Sequence, residues 1–323
     1  MTLDDILKQI NNAETILILS HENPDGDAIG SSIGLCLALL NMGKKAEILM
    51  NEYPANFSFL PGIDNIKNEA SFEKYDMVIV VDCPDINRVY KDYRIYFEKA
   101  KFTAEFDHHS KNSMFADYNI VNHVSPACAQ ILVSSFEYLN IEITKDIATN
   151  LLTGIITDTG GFKNSNITEE TFEFAGWALS KGVNLPVIYR ESMMVTTKTK
   201  FEAEKLTMQR LEFFEDGKVA FTYMTKEDDD KIGIEPGDHD GIVEIGRNIK
   251  GVEVSIFLYQ KEDGSFKGSL RSNDYVDVAD VCMMFGGGGH IKAAGCNIEM
   301  NLEDAKKAIL SEVKKHLKYL TNK

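Results

Sequence analysis

The segment His21-Glu22-Asn23-Pro24-Asp25-Gly26-Asp27 gathers an imidazole and two carboxylates in one short polar turn, directly after the apolar run ETILILS (14–20). A His-x3-Asp-x-Asp spacing in a turn lets several nitrogen and oxygen atoms converge on one point, as a divalent cation requires. An Asx turn followed by a helix N-cap explains one of these aspartates without any ligand, and both accounts stay open at this point.

Three further segments repeat the pattern. DMVIVVD (76–82) ends in Asp82, followed by Cys83-Pro84-Asp85, where an acid also suits the start of a helix. FTAEFDHHSK places Asp107, His108 and His109 in succession. Two neighbouring histidines on a loop are rarely both core residues, because at most one points inward. TGIITDTGGF closes an apolar helical run with Asp158, just before Gly160-Gly161. The chain has 7 histidines, and His21, His108 and His109 all lie in these clusters, so four separate structural explanations would have to hold at once. Imidazole and carboxylate ligands with a shared aspartate suit two borderline-hard divalent ions. Imidazole favours manganese over magnesium, and the lack of clustered thiolates argues against structural zinc. Two such ions, about 3.5–4 Å apart, form the clamp used in phosphoryl hydrolysis.

The second half of the chain carries a different kind of chemistry. SLRS (269–272) sets Arg271 at the end of a strand-like run, and FGGGGHIKAAG (285–295) sets His290 after a glycine run. Glycines let backbone N–H groups approach phosphate oxygens, and Arg and His add positive charge. The run is neither a P-loop nor a dinucleotide fingerprint. Gly286 to Gly289 alone read as a turn between a helix and a strand.

The elements that must hold these groups follow from periodicity. ETILILS, KAEILM (45–50), DMVIVVD and FTAEFD (102–107) are short apolar strands separated by helical patterns. One helical pattern spans Ala28 to Met42, one follows Ser125-Pro126 through Leu139, one runs from Lys145 into Asp158, and one begins at Thr168 and ends near Lys181-Gly182. Strands alternating with helices predict an α/β domain with a parallel sheet, whose C-terminal edge binds ligands. From Pro186 to Phe214 the pattern is long, charged and helical, as a helix joining two domains would be. Beyond it, KVAFTYM, VEVSIFLYQ and SFKGSLRS read as strands with a hairpin turn at Glu262-Asp263-Gly264, and an amphipathic helix spans about Leu302 to Leu320. The expected plan is a parallel-sheet metal-binding domain over 1–185, a connecting helix over 186–216 and a smaller α/β domain with a mixed sheet over 217–323.

Composition narrows the partners. The 323 residues are 44% hydrophobic, enough for sizeable cores, which excludes wholesale disorder. Fifty acidic against 34 basic residues leave a net charge of −16, the wrong sign for coating long duplex nucleic acid. Cys36, Cys83, Cys128, Cys282 and Cys296 are odd in number and contain no CxxC pair, so neither a disulfide framework nor a zinc knuckle is expected. The opening MTLDDILKQINNAE lacks a basic segment and an apolar core, and no apolar run approaches the roughly 20 residues that span a bilayer. A cytoplasmic protein without membrane contact is expected.

Taken in order, HENPDGDAIGSS, VDCPD, DHH and TDTGGF resemble the four motifs of the DHH phosphoesterase superfamily, and SLRS with GGGGH resembles its DHH-associated C-terminal domain. The resemblance covers nearly the whole chain. Its size and domain plan are similar to the NrnA-type subgroup of oligoribonucleases (nanoRNases) that are also pAp phosphatases. RecJ-type exonucleases carry additional DNA-binding parts, and family II pyrophosphatases end in a different substrate domain. The resemblance implies that His21, Asp25 and Asp82 hold one Mn²⁺, and that Asp27, Asp82, His108 and Asp158 hold a second, with Asp82 bridging. It implies that Asp107 orients an imidazole from behind. Asp82, His108 and His109 would form the catalytic group, in a cleft between the domains. His109, Arg271 and His290, with the backbone of Gly288 and Gly289, would bind phosphate. Arg88 would face substrate, although a surface position explains it equally well.

The implied substrates are short oligoribonucleotides and 3′-phosphoadenosine 5′-phosphate (pAp). Alternatives are a phosphodiesterase for linear pApA or cyclic-di-AMP, an inorganic pyrophosphatase, or a catalytically silent nucleotide-binding protein. A homodimer is open as an assembly. Two features depart from the family pattern: SPACAQ sets Gln130 where many relatives carry glutamate, and the glycine run is one residue longer than usual. His123 and His239 lie outside the motifs and read as ordinary polar positions.

Overall fold

The computed structural model describes residues 2–235 and 237–318, in two compact units that divide between Val195 and Thr196. In the first unit, α1 (Leu3–Asn12) precedes β1 (Thr15–Leu19), α2 (Gly26–Asn41), β2 (Lys45–Leu49), β3 (Ile66–Lys67), β4 (Met77–Val81), α3 (Arg94–Lys99), β5 (Phe102–Asp107) and β6 (Tyr118–Val121). Four helices follow: α4 (Cys128–Tyr138), α5 (Lys145–Asp158), α6 (Glu169–Ser180) and α7 (Leu185–Tyr189). The strands form one sheet in the order β3-β2-β1-β4-β5-β6, and every neighbouring pair is parallel.

Both faces of this sheet are covered, which is why its central strands are apolar without alternation. Ile16, Ile18, Ile79 and Val81 enter one core with α2, α4 and α5; Leu17, Leu19, Val78 and Val80 enter another with Tyr75, Val89 and Tyr93. The two short edge strands, β3 and β6, have no comparable apolar run and escape detection from sequence. The strand order reverses between β1 and β4, so the chain leaves these neighbours in opposite directions and opens a crevice beyond their C-terminal ends. His21 lies just past β1, and Asp82 just past β4.

Helices α2 and α5 meet backbone to backbone at the same edge. A Cβ on Gly30 would stand 2.4 Å from the Asn150 carbonyl oxygen, and one on Gly154 would stand 2.7 Å from Asp27 Oδ1. The start of α2 thus lies against the end of α5, which brings Asp27 and Asp158 to one place.

The second unit comprises α8 (Lys198–Gln209), β7 (Glu212–Phe214), β8 (Val219–Met224), α9 (Lys226–Ile232), α10 (Ile242–Arg247), β9 (Val254–Gln260), β10 (Phe266–Ser272), α11 (Val278–Met283), β11 (Gly288–His290), β12 (Ala293–Ile298) and α12 (Leu302–Lys318). Its sheet runs β11-β12-β10-β9-β8-β7 and is mixed, with β8 and β9 parallel and the other pairs antiparallel. Val254, Ile256 and Leu270 face Ile309 and Val313 of α12, while Phe257 and Met224 pack with Ile242 and Val243 of α10. The expected end of the last helix at Leu320 lies outside the described residues.

The expected connecting helix over 186–216 is corrected. After α7 come one π turn (Arg190–Met194), an extended Val195 and a new helix start at Lys198; residues 212–214 are strand. Val195-Thr196-Thr197 is a run of three β-branched residues, and the Thr197 hydroxyl accepts from Lys200 N at 2.9 Å as an N-cap. β-Branching and capping together interrupt the helix where charge periodicity alone would continue it. Among the described residues no helix is long and apolar enough to cross a membrane.

The helix contact yields a paired prediction. Gly30→Ala, whose methyl meets the Asn150 carbonyl, should cost about 1–3 kcal/mol in denaturant unfolding. Gly176→Ala on α6, with open space at its Cβ, should be neutral or stabilising by up to about 1 kcal/mol. Equal effects at the two sites would refute the close approach of α2 and α5.

Candidate metal centre

The first cluster forms at the start of α2. Asp25 is the N-cap, its Oδ1 accepting from Asp27 N at 3.0 Å and from Ala28 N at 3.1 Å. The cap is present and uses one oxygen, so it leaves the other free and is compatible with a ligand role. Asp27 is buried, and its carboxylate reaches across to the start of α4. Oδ2 accepts from Cys128 N at 2.6 Å, and Oδ1 accepts from Ala129 N at 3.0 Å and from Ser31 Oγ at 3.1 Å. The N-cap of α4 is Ala127, which offers no side-chain oxygen. Asp27 therefore satisfies N–H groups that α4 would otherwise leave unpaired.

Asp82 sits at φ +53°, left-handed and unusual for a residue with a side chain, while its N–H still donates to Phe106 O at 2.9 Å. That conformation costs energy on the order of 1 kcal/mol and marks a geometry imposed by its surroundings. The two oxygens of its carboxylate face different imidazoles: Oδ2 lies 3.8 Å from His21 Nε2, and Oδ1 lies 3.5 Å from His108 Nε2. Asp158 Oδ2 approaches the same His108 Nε2 at 3.5 Å. Two groups of donor atoms result, His21 with Asp25 and Asp82, and Asp27 with His108 and Asp158, each within 4.8 Å mutually; Asp82 also groups with His108 and His109.

The adjacent histidines are held differently. His108 Nδ1 lies 3.3 Å from the Ser125 carbonyl, which leaves Nε2 to face the carboxylates. His109 Nδ1 donates to Asp107 Oδ1 at 2.7 Å, so its free nitrogen is Nε2. Asp107 is fully buried, and its Oδ2 accepts from Asn112 Nδ2 at 2.7 Å. The imidazole that Asp107 orients is thus His109, whereas His108 is set by a backbone carbonyl. Ser125, Asn112 and the N–H groups of Cys128 and Ala129 escape sequence reading, because three of these four contributions come from the backbone and carry no residue-type signal. Glu105, also buried on β5, has two unpartnered oxygens, and burial pushes its carboxyl up to about 7.

The electrostatics of the centre point one way. Burial, then the charge of Asp27, raises Asp82 well above the usual carboxylate range; burial also raises Asp27 and lifts Asp158 to about 7. Burial would depress His108, but the Asp82, Asp27 and Asp158 carboxylates outweigh it and lift the imidazole to about 10. Desolvation lowers His21. Asp82 Oδ1 is buried without a hydrogen-bond partner. A buried, unpartnered carboxylate oxygen amid further carboxylates is what a divalent cation relieves. The donors are all oxygen and imidazole nitrogen; the nearby Cys83 thiol is pushed up to about 12 by burial and stays protonated. These residues fit hard or borderline divalent ions.

The loop after Asp82 folds back onto the first cluster. His21 bridges Val89, and Glu22 N donates to Arg88 O at 2.7 Å, so exposed Arg88 stands beside His21 and lowers its basicity. Gln130 turns away, accepting from Thr171 Oγ1 at 2.7 Å and donating to Thr168 Oγ1 at 3.2 Å, where it secures the start of α6. In the second unit, Ala293 of β12 pairs with both Arg271 and His290, so these two share one row and one face of the sheet. Their Cα positions are two strand spacings, about 10 Å, apart. The glycine run is more than the turn expected of it: Gly288 to His290 form β11. A Cβ on Gly287 would stand 2.2 Å from Gly295 O, and one on Gly289 2.5 Å from Ala293 O, while Gly288 faces open space. Pairing with β12 thus accounts for Gly287 and Gly289. His239 lies 3.0 Å from Asp229 and stacks on Tyr259, outside the donor groups, as does exposed His123.

A doubly wound parallel sheet whose switch point gathers carboxylates and imidazoles is a frame that suits a phosphoric-ester hydrolase. The chain belongs to the DHH family of phosphoesterases: the DHH family N-terminal domain matches residues 15–155, and the DHHA1 domain matches residues 216–318. It is similar to the bifunctional oligoribonuclease and PAP phosphatase NrnA of Thermus thermophilus, at 31% identity over 97% of this chain and 93% of that protein. The protein of the same name from Bacillus subtilis is 26% identical over 91% of this chain and 92% of its own length. A solved exopolyphosphatase-related protein from Bacteroides fragilis superposes with a TM-score of 0.90 at 26% identity, covering 97% of this chain and 95% of that one.

Two predictions follow from the charges. In chelator-stripped protein, Asp158 at about 7 contributes fully below the unfolded carboxyl value and loses that contribution as pH rises through 7. His108 at about 10 contributes fully below the unfolded imidazole value and loses it as pH rises toward 10. Both act in the same direction, so the Tm of the stripped protein should fall from about pH 5 to about pH 8. A flat or rising Tm would contradict the cluster's charge balance. Asp82→Asn should melt no lower than wild type in chelator, yet lose the rise in Tm that Mn²⁺ gives by mass action. Undiminished Mn²⁺ stabilisation of that variant would remove Asp82 from the centre.

Proposed function

We propose that the chain is a manganese-dependent phosphoesterase that releases mononucleotides from short oligoribonucleotides and phosphate from pAp. The observation that carries the proposal is Asp82: one buried carboxylate whose two oxygens face two different donor groups. That arrangement supports a bridging role, with His21 and Asp25 on one side and Asp27, His108 and Asp158 on the other. When bound, two divalent ions would supply Lewis acidity to a water nucleophile and neutralise charge on the phosphoryl group. The substrate class is supported by the relatives named as oligoribonuclease and PAP phosphatase, which this chain matches over most of both lengths.

The chain's own residues supply the remaining chemistry. Asp107 holds the Nδ1 proton of His109, which fixes the tautomer and presents Nε2 to a phosphate oxygen or a leaving group. Arg271 and His290 project from one sheet face, where they would receive non-bridging phosphate oxygens. Gly288, whose surroundings are open, leaves backbone room beside them. Arg88 beside His21 adds a positive group at the rim of the first cluster. With so few local cations doing the binding, the net charge of −16 is compatible with a short anionic substrate.

The test is turnover with Mn²⁺, against a chelator control, on pAp, a short RNA oligomer, pApA, cyclic-di-AMP and pyrophosphate. Mononucleotides from RNA together with AMP and phosphate from pAp are expected. Activity confined to pApA would move the protein to dinucleotide turnover, and phosphate from pyrophosphate alone would refute the nucleotide assignment. Asp107→Asn should lower kcat about 10–100-fold, the usual effect of freeing a held imidazole, with Mn²⁺ stabilisation retained. Loss of metal stabilisation would instead place Asp107 among the metal ligands.

A further inference from the structure

We propose that Glu244 is the positioning residue for Arg271, aiming its guanidinium so that free N–H groups meet the substrate phosphate; this rests on the assignment of Arg271 to phosphate binding. Arg271 Nε donates to Glu244 Oε1 at 3.0 Å, and Nη1 donates to the Leu270 carbonyl at 3.0 Å. A guanidinium has five N–H donors in a rigid planar fork, so fixing two of them fixes the plane and leaves three directed elsewhere.

The support beneath Glu244 is itself immobilised. Val243 O, the neighbouring carbonyl of α10, accepts from Ser255 Oγ at 2.7 Å, and Ser255 is the residue directly opposite Arg271 on β9. One turn on, Gly246 lets α10 press onto the sheet: a Cβ there would stand 2.4 Å from Ser255 Oγ and 2.9 Å from Ala220 Cβ. Ile242 and Val243 are buried beneath the helix. The carboxylate thus reaches Arg271 from a helix clamped to the next strand, the rigid kind of support that a binding group needs.

Stability alone does not account for this arrangement. The Arg271 and Glu244 side chains are 29% and 30% exposed, and ion pairs of that exposure add little to folding. Charge alone does not either. Arg247 Nε lies 2.6 Å from Glu244 Oε2 without hydrogen-bond alignment, so one carboxylate serves two guanidinium groups and halves the positive charge offered to an anion. A site selected only for positive charge would omit it. Orientation is what Glu244 adds, and it opposes the charge effect, so the two roles predict opposite signs.

The experiment measures KM and kcat for pAp on the full Mn²⁺-loaded chain. Arg271→Ala comes first: an unchanged KM there would overturn the assignment of Arg271 and leave Glu244 nothing to position. With Arg271 established, Glu244→Ala should raise KM roughly tenfold, the worth of one charge-assisted hydrogen bond, with kcat moving less and Tm nearly constant. Glu244→Gln keeps an acceptor for the Nε–H and should recover most of the affinity. Adding Glu244→Ala to Arg271→Ala should change nothing further, because both remove the same interaction. A lower KM in Glu244→Ala would show that the carboxylate merely screens the cations and would overturn the proposal. So would additive effects in the double variant, or a Gln variant no better than Ala.

Discussion

Four carboxylates and three imidazoles crowd into the crevice beyond β1 and β4, and the desolvation and mutual repulsion of these carboxylates constrain the rest of the first unit. Asp27, Asp82 and Asp158 are each held above their ordinary pKa, which states in protons how much the folded chain resists collecting them. A protein that gathers such groups without a counter-charge keeps a permanent destabilising element. Divalent cations bound there, as proposed, would turn the same element into a source of affinity. The unpartnered Oδ1 of Asp82 is the local expression of this unfinished balance.

Holding the carboxylates against that repulsion takes rigid backbone. The contact of Gly30 with Asn150, and of Gly154 with Asp27, fixes α2 against α5 more closely than any larger side chain permits. Asp27 adds a second tie by closing the open end of α4. The candidate site is therefore built into the helix packing: the same Asp27 side chain that groups with His108 and Asp158 also caps a neighbouring helix. His108 and His109 show the corresponding logic for imidazoles, one set by a carbonyl and the other by a buried carboxylate. Adjacent in sequence and identical in type, both keep Nε2 free but are held by different partners.

In the proposed function the second unit would have a simpler task, the presentation of positive charge at a defined angle. Its sheet aligns Arg271 and His290 on one row through the small residue Ala293, and close strand pairing demands glycine at positions 287 and 289. The glycine run thus serves strand geometry first. Any contact with phosphate comes from the backbone and side chains that this geometry leaves exposed.

Much of the candidate site was legible in the sequence because a cluster able to hold a cation requires particular residue types. His21, Asp25, Asp27, Asp82, His108 and Asp158 stood out by type and by their position at the ends of apolar runs, and the parallel sheet followed from short apolar strands alternating with helical patterns. The break at Val195–Thr197 was not legible, because helical charge periodicity continues on both sides while β-branching and a hydroxyl cap act locally. Nor were β3 and β6, whose pairing depends on neighbours more than on their own composition. The sequence by itself determined which side chains are available as candidate ligands and which strands deliver them. Only the tertiary structure decided that Asp82 faces both donor groups, that Asp107 serves His109, that Gln130 serves α6, and that Glu244 reaches Arg271. Those choices depend on distances between segments far apart in the chain and on backbone N–H and C=O groups, which every residue carries alike.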